Sequence, residues 1–219
     1  MDFGASNRCK RFDLRRIALL LAAVTVTACG SPWYTSDPIE AWVVDAETGA
    51  PIEGAVVTAN WQLVAPSLDT GGRKLRQLEV METKTDKNGR FYFPGFTKIN
   101  FTLDELRDED PQILIFKSGY RYGRVSSNYS ADFDATSHHR AIAISARKIA
   151  LQRTNADPKV VALGLGSMMS SLENVERSGD IRKVVGLVRS LACERLRLKK
   201  LDATVILSVP GESGGIHCE

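Results

Sequence analysis

Histidine is scarce in this chain of 219 residues, which contains three histidines, His138, His139 and His217. Catalytic triads and most metal centres draw on histidine, so few such sites can be assembled here. His138 and His139 are adjacent, and adjacent side chains point to opposite faces of a strand. We therefore interpret them as part of a surface loop, with a metal site as the alternative, and predict no cofactor and no metal.

The sequence also lacks the short motifs that mark common enzyme classes. It contains no phosphate-binding loop, no dinucleotide glycine pattern, no Gly-x-Ser-x-Gly elbow and no His-Glu-x-x-His. Asp37, Asp45 and Asp86 could pair as acid and base, but aspartates beside turns ordinarily form the turn itself. The chain is accordingly predicted not to be an enzyme and to have no catalytic residues. A hydrolase with an acidic pair in a cleft is the alternative.

An excess of basic residues is missing once the N-terminal residues are set aside. The formal net charge is +3, but residues 1–28 hold five basic and two acidic residues, and the remainder carries 24 of each sign. Nucleic-acid-binding domains usually present a clear basic excess. We therefore expect no nucleic acid partner.

Long apolar runs are missing as well. The run Ile17–Val24 is too short for a membrane span, which needs about 20 apolar residues. It follows Arg15 and Arg16 and precedes small residues, which is the arrangement of a secretory signal peptide. The sequence thus predicts a signal peptide over residues 1–28.

The end of this segment, Val26-Thr27-Ala28-Cys29, resembles the lipobox of bacterial lipoproteins. That resemblance implies that Cys29 is acylated, palmitate included, and becomes the mature N-terminus; an ordinary cleavage site before a cysteine is the alternative. Several acyl chains anchor a protein stably where one does not. Gly30 follows Cys29 in place of the aspartate that marks inner-membrane retention, so the expected location is the outer membrane, facing the periplasm, with residues 29–38 as a tether.

Strand and turn signals alternate from residue 39 to residue 96. Ile39–Asp45 is rich in β-branched residues, and Ala55–Trp61 alternates apolar and polar side chains with the period of two of a strand. Thr48-Gly49 and Pro51 separate these two runs. Asp86–Gly89 ends in Asn-Gly, which favours a hairpin turn.

This succession resembles the carboxypeptidase regulatory-like domain. The matching residues are Val44, Asp45, Thr48, Gly49, Pro51, Ile52, Gly54, Ala55, Val57, Thr85, Asp86, Gly89 and Phe91, followed by Ile113–Tyr120 as a strand and its Gly-Tyr turn. The resemblance covers residues 39–153. It implies a seven-stranded antiparallel β-sandwich of prealbumin-like or immunoglobulin-like shape, with a structural or interactive role.

The composition changes at Thr154, where a C-terminal extension of two helices, residues 154–219, is predicted to begin. Asp157-Pro158 favours a helix start, and Ser178–Asp180 a break. A second helix is predicted from apolar residues spaced by three and four: Ile181, Val184, Val185, Val188, Leu191, Ala192 and Leu196. In an exported protein the pair Cys193 and Cys218 predicts a disulfide that pins the tail to this helix. Two free thiols are the alternative.

Two hypotheses about function follow. The first is a non-enzymatic envelope lipoprotein that serves as a structural or protein-interaction module, bound to the membrane through Cys29, with envelope proteins as candidate partners. The second is a carbohydrate- or peptide-binding module, in which Trp33, Trp42, Trp61 or Tyr122 stacks on a ligand. An exposed row of these aromatic side chains would favour the second hypothesis.

Overall fold

The computed structural model describes residues 33–66, 73–99, 104–106, 111–125, 139–140, 144–177, 179–201, 203 and 218. All of them belong to the unit Trp33–Glu219, which is distinct from Met1–Pro32. The predicted signal peptide, Cys29 and His138 lie outside the described residues. The strands are β1 (Trp33–Ser36), β2 (Ile39–Asp45), β3 (Val56–Pro66), β4 (Arg73–Lys84), β5 (Arg90–Phe93), β6 (Phe96–Ile99), β7 (Glu105–Leu106), β8 (Gln112–Phe116), β9 (Gly123–Val125), β10 (His139–Arg140) and β11 (Lys148–Leu151). The helices are α1 (Pro158–Arg177), a 3₁₀ helix (Asp180–Val184) and α2 (Val185–Lys200).

The first layer of the fold centres on β2, which pairs with β5 on one side and β11 on the other. The same three chain segments continue as β1, β6 and β10, which pair in the order β10-β1-β6. Pro38 and Pro94 interrupt the segments between these two sheets, because proline has no N–H to donate to a ladder. Strand β1 lies within the stretch that the sequence predicted as a tether, and two of its side chains, Tyr34 and Ser36, are buried.

The second layer is a sheet in the order β4-β3-β8-β9, with the short β7 pairing to β3. Its described pairs are all antiparallel. The two layers confirm the predicted β-sandwich. Two pairings differ from the antiparallel expectation. Strand β11 runs parallel to β2, with Lys148 opposite Trp42 and Leu151 opposite Asp45, and β10 runs parallel to β1. Alternating side chains define the faces of a strand but not its direction, so the pattern could not show either pairing.

The core between the layers comes from the alternation predicted for β2 and β3. Ile39, Ala41 and Val43 are fully buried on β2, and Phe91 and Phe93 lie beside them on the same face of the sheet, on β5. Trp61 closes one end of this core: its ring lies edge-on to Phe96 at 4.9 Å, and its Nε1 donates to Ser36 Oγ at 3.1 Å.

A second core covers the opposite face of the second sheet. Val56, Leu114 and Phe116 point away from the first layer and pack against α1 and α2. The helices contribute fully buried side chains, among them Leu165, Met169, Leu172, Leu187 and Leu191. The second sheet is therefore a middle layer buried on both faces, which explains the continuous apolar run of β8.

Helix α1 begins where the sequence predicts, because Asp157 Oδ1 accepts a hydrogen bond from the Lys159 backbone N–H at 2.7 Å. The predicted apolar stripe is confirmed at Val184, Val188, Leu191 and Ala192, which are buried, and is wrong at two other positions. Val185 and Leu196 are 59% and 39% exposed, whereas Leu187 and Leu198 are fully buried. The residues before Val185 form a 3₁₀ helix, which has about 3.0 residues per turn, so the apolar face does not continue in phase into α2. None of the described helices is both long and apolar enough to cross a bilayer.

Candidate functional site

A cleft of about 1160 Å³ opens between α2 and one end of the second sheet. The sheet side is formed by the start of β3, the end of β4 and the turn after β8, and the helix side by one face of α2. The basic side chains among its described lining residues are Lys84, Lys117, Arg189, Arg197, Lys199 and Lys200, and the acidic one is Glu194. We call this feature the basic cleft. A concave surface lined by one sign of charge focuses the electrostatic potential inside it.

Glu194 does not neutralise the lysines of the basic cleft, because its carboxylate is already occupied. It is buried, accepts from Ser118 Oγ at 2.8 Å, and forms two hydrogen bonds with Arg197. Lys117 Nζ donates to the Glu53 carbonyl at 2.7 Å. Three further lysines, Lys84, Lys199 and Lys200, form no ion pair with any described residue. Lys84 is attracted by the charge of Glu82 but forms no ion pair with it. The cleft therefore holds several positive charges that no described carboxylate pairs with directly.

Helix α2 is held against the sheet by a carboxylate from β4. Glu82 Oε1 accepts the Gly186 backbone N–H at 2.9 Å and Oε2 accepts that of Leu187 at 2.7 Å. These are first-turn donors of α2, which has no side-chain cap of its own. A Cβ on Gly186 would lie 2.4 Å from Glu82 Oε1, so any larger residue here would displace this carboxylate. Burial raises the pKa of the Glu82 carboxyl, and the two N–H donors oppose that rise.

The structure joins Cys193 and Cys218 by a disulfide, with Cα atoms 5.6 Å apart, as the sequence predicts. Cys193 lies in the middle of α2, and both cysteines line the basic cleft. The covalent bond therefore ties the C-terminal end of the chain to the wall of this cleft.

A second cavity, of about 710 Å³, lies between α1 and the segments around Tyr120 and Arg153. Tyr122 stacks on Phe116 with ring centroids 5.7 Å apart and donates from its hydroxyl to the Val161 carbonyl at 3.2 Å. A Cβ on Gly164 would lie 2.8 Å from the Tyr122 ring. The tyrosine thus serves as a packing contact between the sandwich and α1.

Asp45 is the most heavily hydrogen-bonded carboxylate near this second cavity. It is 2% exposed and accepts the backbone N–H groups of Glu47 and Thr48 at 3.0 Å, the Tyr120 hydroxyl at 2.9 Å and Arg153 Nε at 2.6 Å. The Thr48 N–H first, and then the Arg153 guanidinium, hold the pKa of Asp45 well below its usual range. A carboxylate saturated in this way stays ionised, so Asp45 is a structural anchor for the turn after β2.

The structure does not assemble the other residues considered from the sequence into one site. Asp86 Oδ1 caps its own turn by accepting the N–H groups of Asn88 and Arg90 at 2.8 and 2.9 Å, as expected for a turn aspartate. His139 lies in β10, and its side chain is outside the described residues. Within the described part of the chain, no group of three potential metal ligands occurs.

The four aromatic side chains proposed for ligand stacking do not form one exposed row. Trp33 is 51% exposed, Trp42 is half-buried on the outer face of the first layer, and Trp61 is buried inside the sandwich. Tyr122 packs under α1. Sequence reasoning missed Tyr92, which is 45% exposed on the same outer face as Trp42, with the Arg90 guanidinium 5.9 Å from its ring centre.

No family model matches this chain, and no curated protein matches it either. Solved structures with a similar arrangement include 3-chlorocatechol 1,2-dioxygenase from Rhodococcus opacus 1CP, with 19% identity over 57% of this chain and 61% of that one and a TM-score of 0.33. A streptococcal ancillary pilin has 10% identity over 55% and 30% and a TM-score of 0.24. The shaft pilin SpaA from Lactobacillus rhamnosus GG has 14% identity over 57% and 48% and a TM-score of 0.29.

The chain spans less than two thirds of the length of these solved structures. Scores at this level say nothing about what the chain binds or does.

Proposed function

We propose that this chain is a non-enzymatic lipoprotein of the cell envelope, anchored in the outer membrane through Cys29. Its carboxypeptidase regulatory-like sandwich, residues 39–153, and its C-terminal helices together form a structural or protein-interaction module. The Cys193–Cys218 disulfide supports this cellular location most directly, because disulfides persist in oxidising compartments such as the periplasm and are rare in the cytosol. In the lipobox-like Val26–Cys29, Cys29 is the residue that would carry the acyl chains.

The geometry supports an interaction role through the basic cleft. Helix α2 is fixed to the sheet at both its start and its middle, by Glu82 and by the pair Ser118–Glu194. Such fixed walls preorganise the cleft, and preorganised surfaces lose little entropy on binding. The cleft is therefore the part of the described surface that we assign to a partner in the periplasm.

The proposed anchor is tested by intact mass and cell fractionation of the protein from its native host. We expect a mature chain that begins at Cys29, carries the mass of added acyl chains and is found in the outer-membrane fraction. The variant Cys29→Ser should leave the membrane fraction, while Cys9→Ser, which alters a residue inside the predicted signal peptide, should not. A soluble wild-type chain with an unmodified Cys29 would overturn the proposal.

A carbohydrate- or peptide-binding module remains the second candidate, because Trp42 and Tyr92 share the solvent-facing side of the first layer. The register places Trp42 opposite Arg90 and Tyr92 opposite Glu40, so the two rings are diagonal neighbours. Stacking of a sugar there should shift tryptophan fluorescence, and Tyr92→Ala should abolish the shift. Tyr34→Phe, a change to a buried tyrosine, is the control.

A further inference from the structure

We propose that the basic cleft binds a ligand that carries several phosphate groups. The cations come from three separate parts of the fold: Lys84 from the end of β4, Lys117 from the turn after β8, and Lys199 and Lys200 from the end of α2. They therefore surround the cleft from different sides and do not form a single helix stripe. A ligand inside the basic cleft can therefore contact cationic side chains on several of its sides at the same time.

The charge in the basic cleft is a local concentration, since residues 29–219 carry 24 basic and 24 acidic side chains. The described lining holds six basic side chains against one acidic side chain, Glu194. Like charges gathered in a concave surface repel one another, and this repulsion lowers the stability of the folded chain. An anion in the cleft relieves that repulsion, so folding and anion binding are linked.

The described chain supplies little countercharge to these lysines: Glu82 attracts Lys84 at a distance but forms no ion pair with it. Glu194 is engaged by Arg197 and Ser118, and no described carboxylate lies within ion-pair distance of Lys84, Lys199 or Lys200. Lysine ammonium groups bind phosphate as point charges with three donors each. Their side chains are exposed, so an incoming phosphate does not have to displace a buried partner.

The size of the cleft selects the class of anion. Pockets for small organic ligands measure about 300–1,000 Å³, and the volume here, about 1160 Å³, exceeds that of a single inorganic ion. A terminal phosphate group carries a charge of about −1.5 to −2 near neutral pH, and each bridging phosphate adds a smaller negative charge, so two or three linked phosphates match the cationic side chains. Anionic lipid headgroups and soluble polyphosphates share this chemistry.

The inference does not depend on the anchor at Cys29, so each of the two proposals can fail without the other.

The first test measures binding of sodium tripolyphosphate to the full chain by isothermal titration calorimetry at low ionic strength. The variant Lys84→Gln/Lys199→Gln/Lys200→Gln should bind on the order of a hundredfold more weakly, since each lysine near an anionic group contributes about a fivefold factor. Lys84→Gln alone should lose about fivefold. The matched control Lys87→Gln/Lys148→Gln/Lys159→Gln removes the same charge from exposed positions outside the cleft and should bind like wild type.

The second test is flotation with vesicles of phosphatidylglycerol in phosphatidylcholine, using the full chain with Cys29→Ser in every variant. If tripolyphosphate competes with the vesicles and the triple variant in the cleft floats less than its control, the phosphate source is a lipid headgroup. If only tripolyphosphate binds, the source is a soluble phosphate compound. Absence of binding to either probe, or equal loss in both triple variants, would overturn the proposal.

Discussion

The contact between Glu82 and the first turn of α2 gives the sharpest test of how the sheet and the helices are joined. Glu82→Ala removes the acceptor of two backbone N–H groups, those of Gly186 and Leu187. Leaving donors without a partner at a half-buried helix end costs about 1–3 kcal/mol of unfolding free energy. Burial of the carboxylate partly offsets this stabilisation, as its raised pKa indicates. We therefore expect a loss near the lower end, about 1 kcal/mol.

Gly186→Ala disturbs the same contact from the helix side. In the wild-type chain the new Cβ would lie 2.4 Å from Glu82 Oε1, so the carboxylate must move and its hydrogen bonds are lost. In the Glu82→Ala background there is no carboxylate to displace. The alanine should then stabilise the helix by up to about 1 kcal/mol through its higher helix propensity. The substitution is thus expected to change sign between the two backgrounds.

Urea unfolding of the four chains, followed by tryptophan fluorescence and by circular dichroism, measures this coupling. Coincident transitions by the two probes are needed before free energies are compared. For a chain of this size each 1 kcal/mol also shifts the melting temperature by roughly 2–4 °C. Glu40→Ala, which removes an exposed strand carboxylate paired with Arg90, is the matched control. Equal effects of Gly186→Ala in both backgrounds, within about 0.5 kcal/mol, would refute the reasoning.

Three further predictions concern the ends of the sandwich and the tail. Because the pKa of Asp45 is depressed in the folded chain, its carboxylate stabilises the fold at pH values above the ordinary pKa of 3.8, and this stabilisation is lost as the pH falls below it. Acid unfolding of Asp45→Asn should therefore depend less on pH than that of wild type. Gly164→Ala should lower the melting temperature although alanine favours helices, because the added Cβ meets the Tyr122 ring at 2.8 Å, and a Tyr122→Ala background should reverse the effect. Cys193→Ser/Cys218→Ser should lose about 3–4 kcal/mol of unfolding free energy, from a loop separation of 25 residues; alkylation of both thiols in unreduced wild-type protein would contradict the bond.

Much of the sandwich could be predicted because its local signals agree with its tertiary structure. The alternation of Ala55, Val57, Ala59 and Trp61 matches the inner face of β3, and these side chains are buried between the layers. Asp157 caps α1 through a contact two residues away, which any local reading of the sequence can find. Such features depend on residues a few positions apart, and this spacing can be read directly from the sequence.

The basic cleft and the second core could not be predicted in the same way. The pattern assigns Val56, Thr58 and Asn60 to one face of β3, yet nothing local shows that α1 and α2 cover that face. All three are buried, and the amide of Asn60 has no hydrogen-bond partner among the described residues. Lys84 and Lys199 are 115 positions apart in the chain and line one cleft only because Glu82 fixes α2 against β4.

The sequence by itself determined the alternation of β2 and β3, the hairpin turn at Asp86–Gly89, the start of α1 and the pairing of Cys193 with Cys218, because each depends on side-chain type and short-range spacing. The lipid anchor at Cys29 stays a prediction, because Val26–Cys29 lies outside the described residues. Tertiary structure alone decided the parallel direction of β11, the second buried face of the middle sheet and the exposed face of α2. Those features follow from long-range packing, in which residues more than a hundred positions apart share one core or one cleft, and no local pattern encodes that proximity.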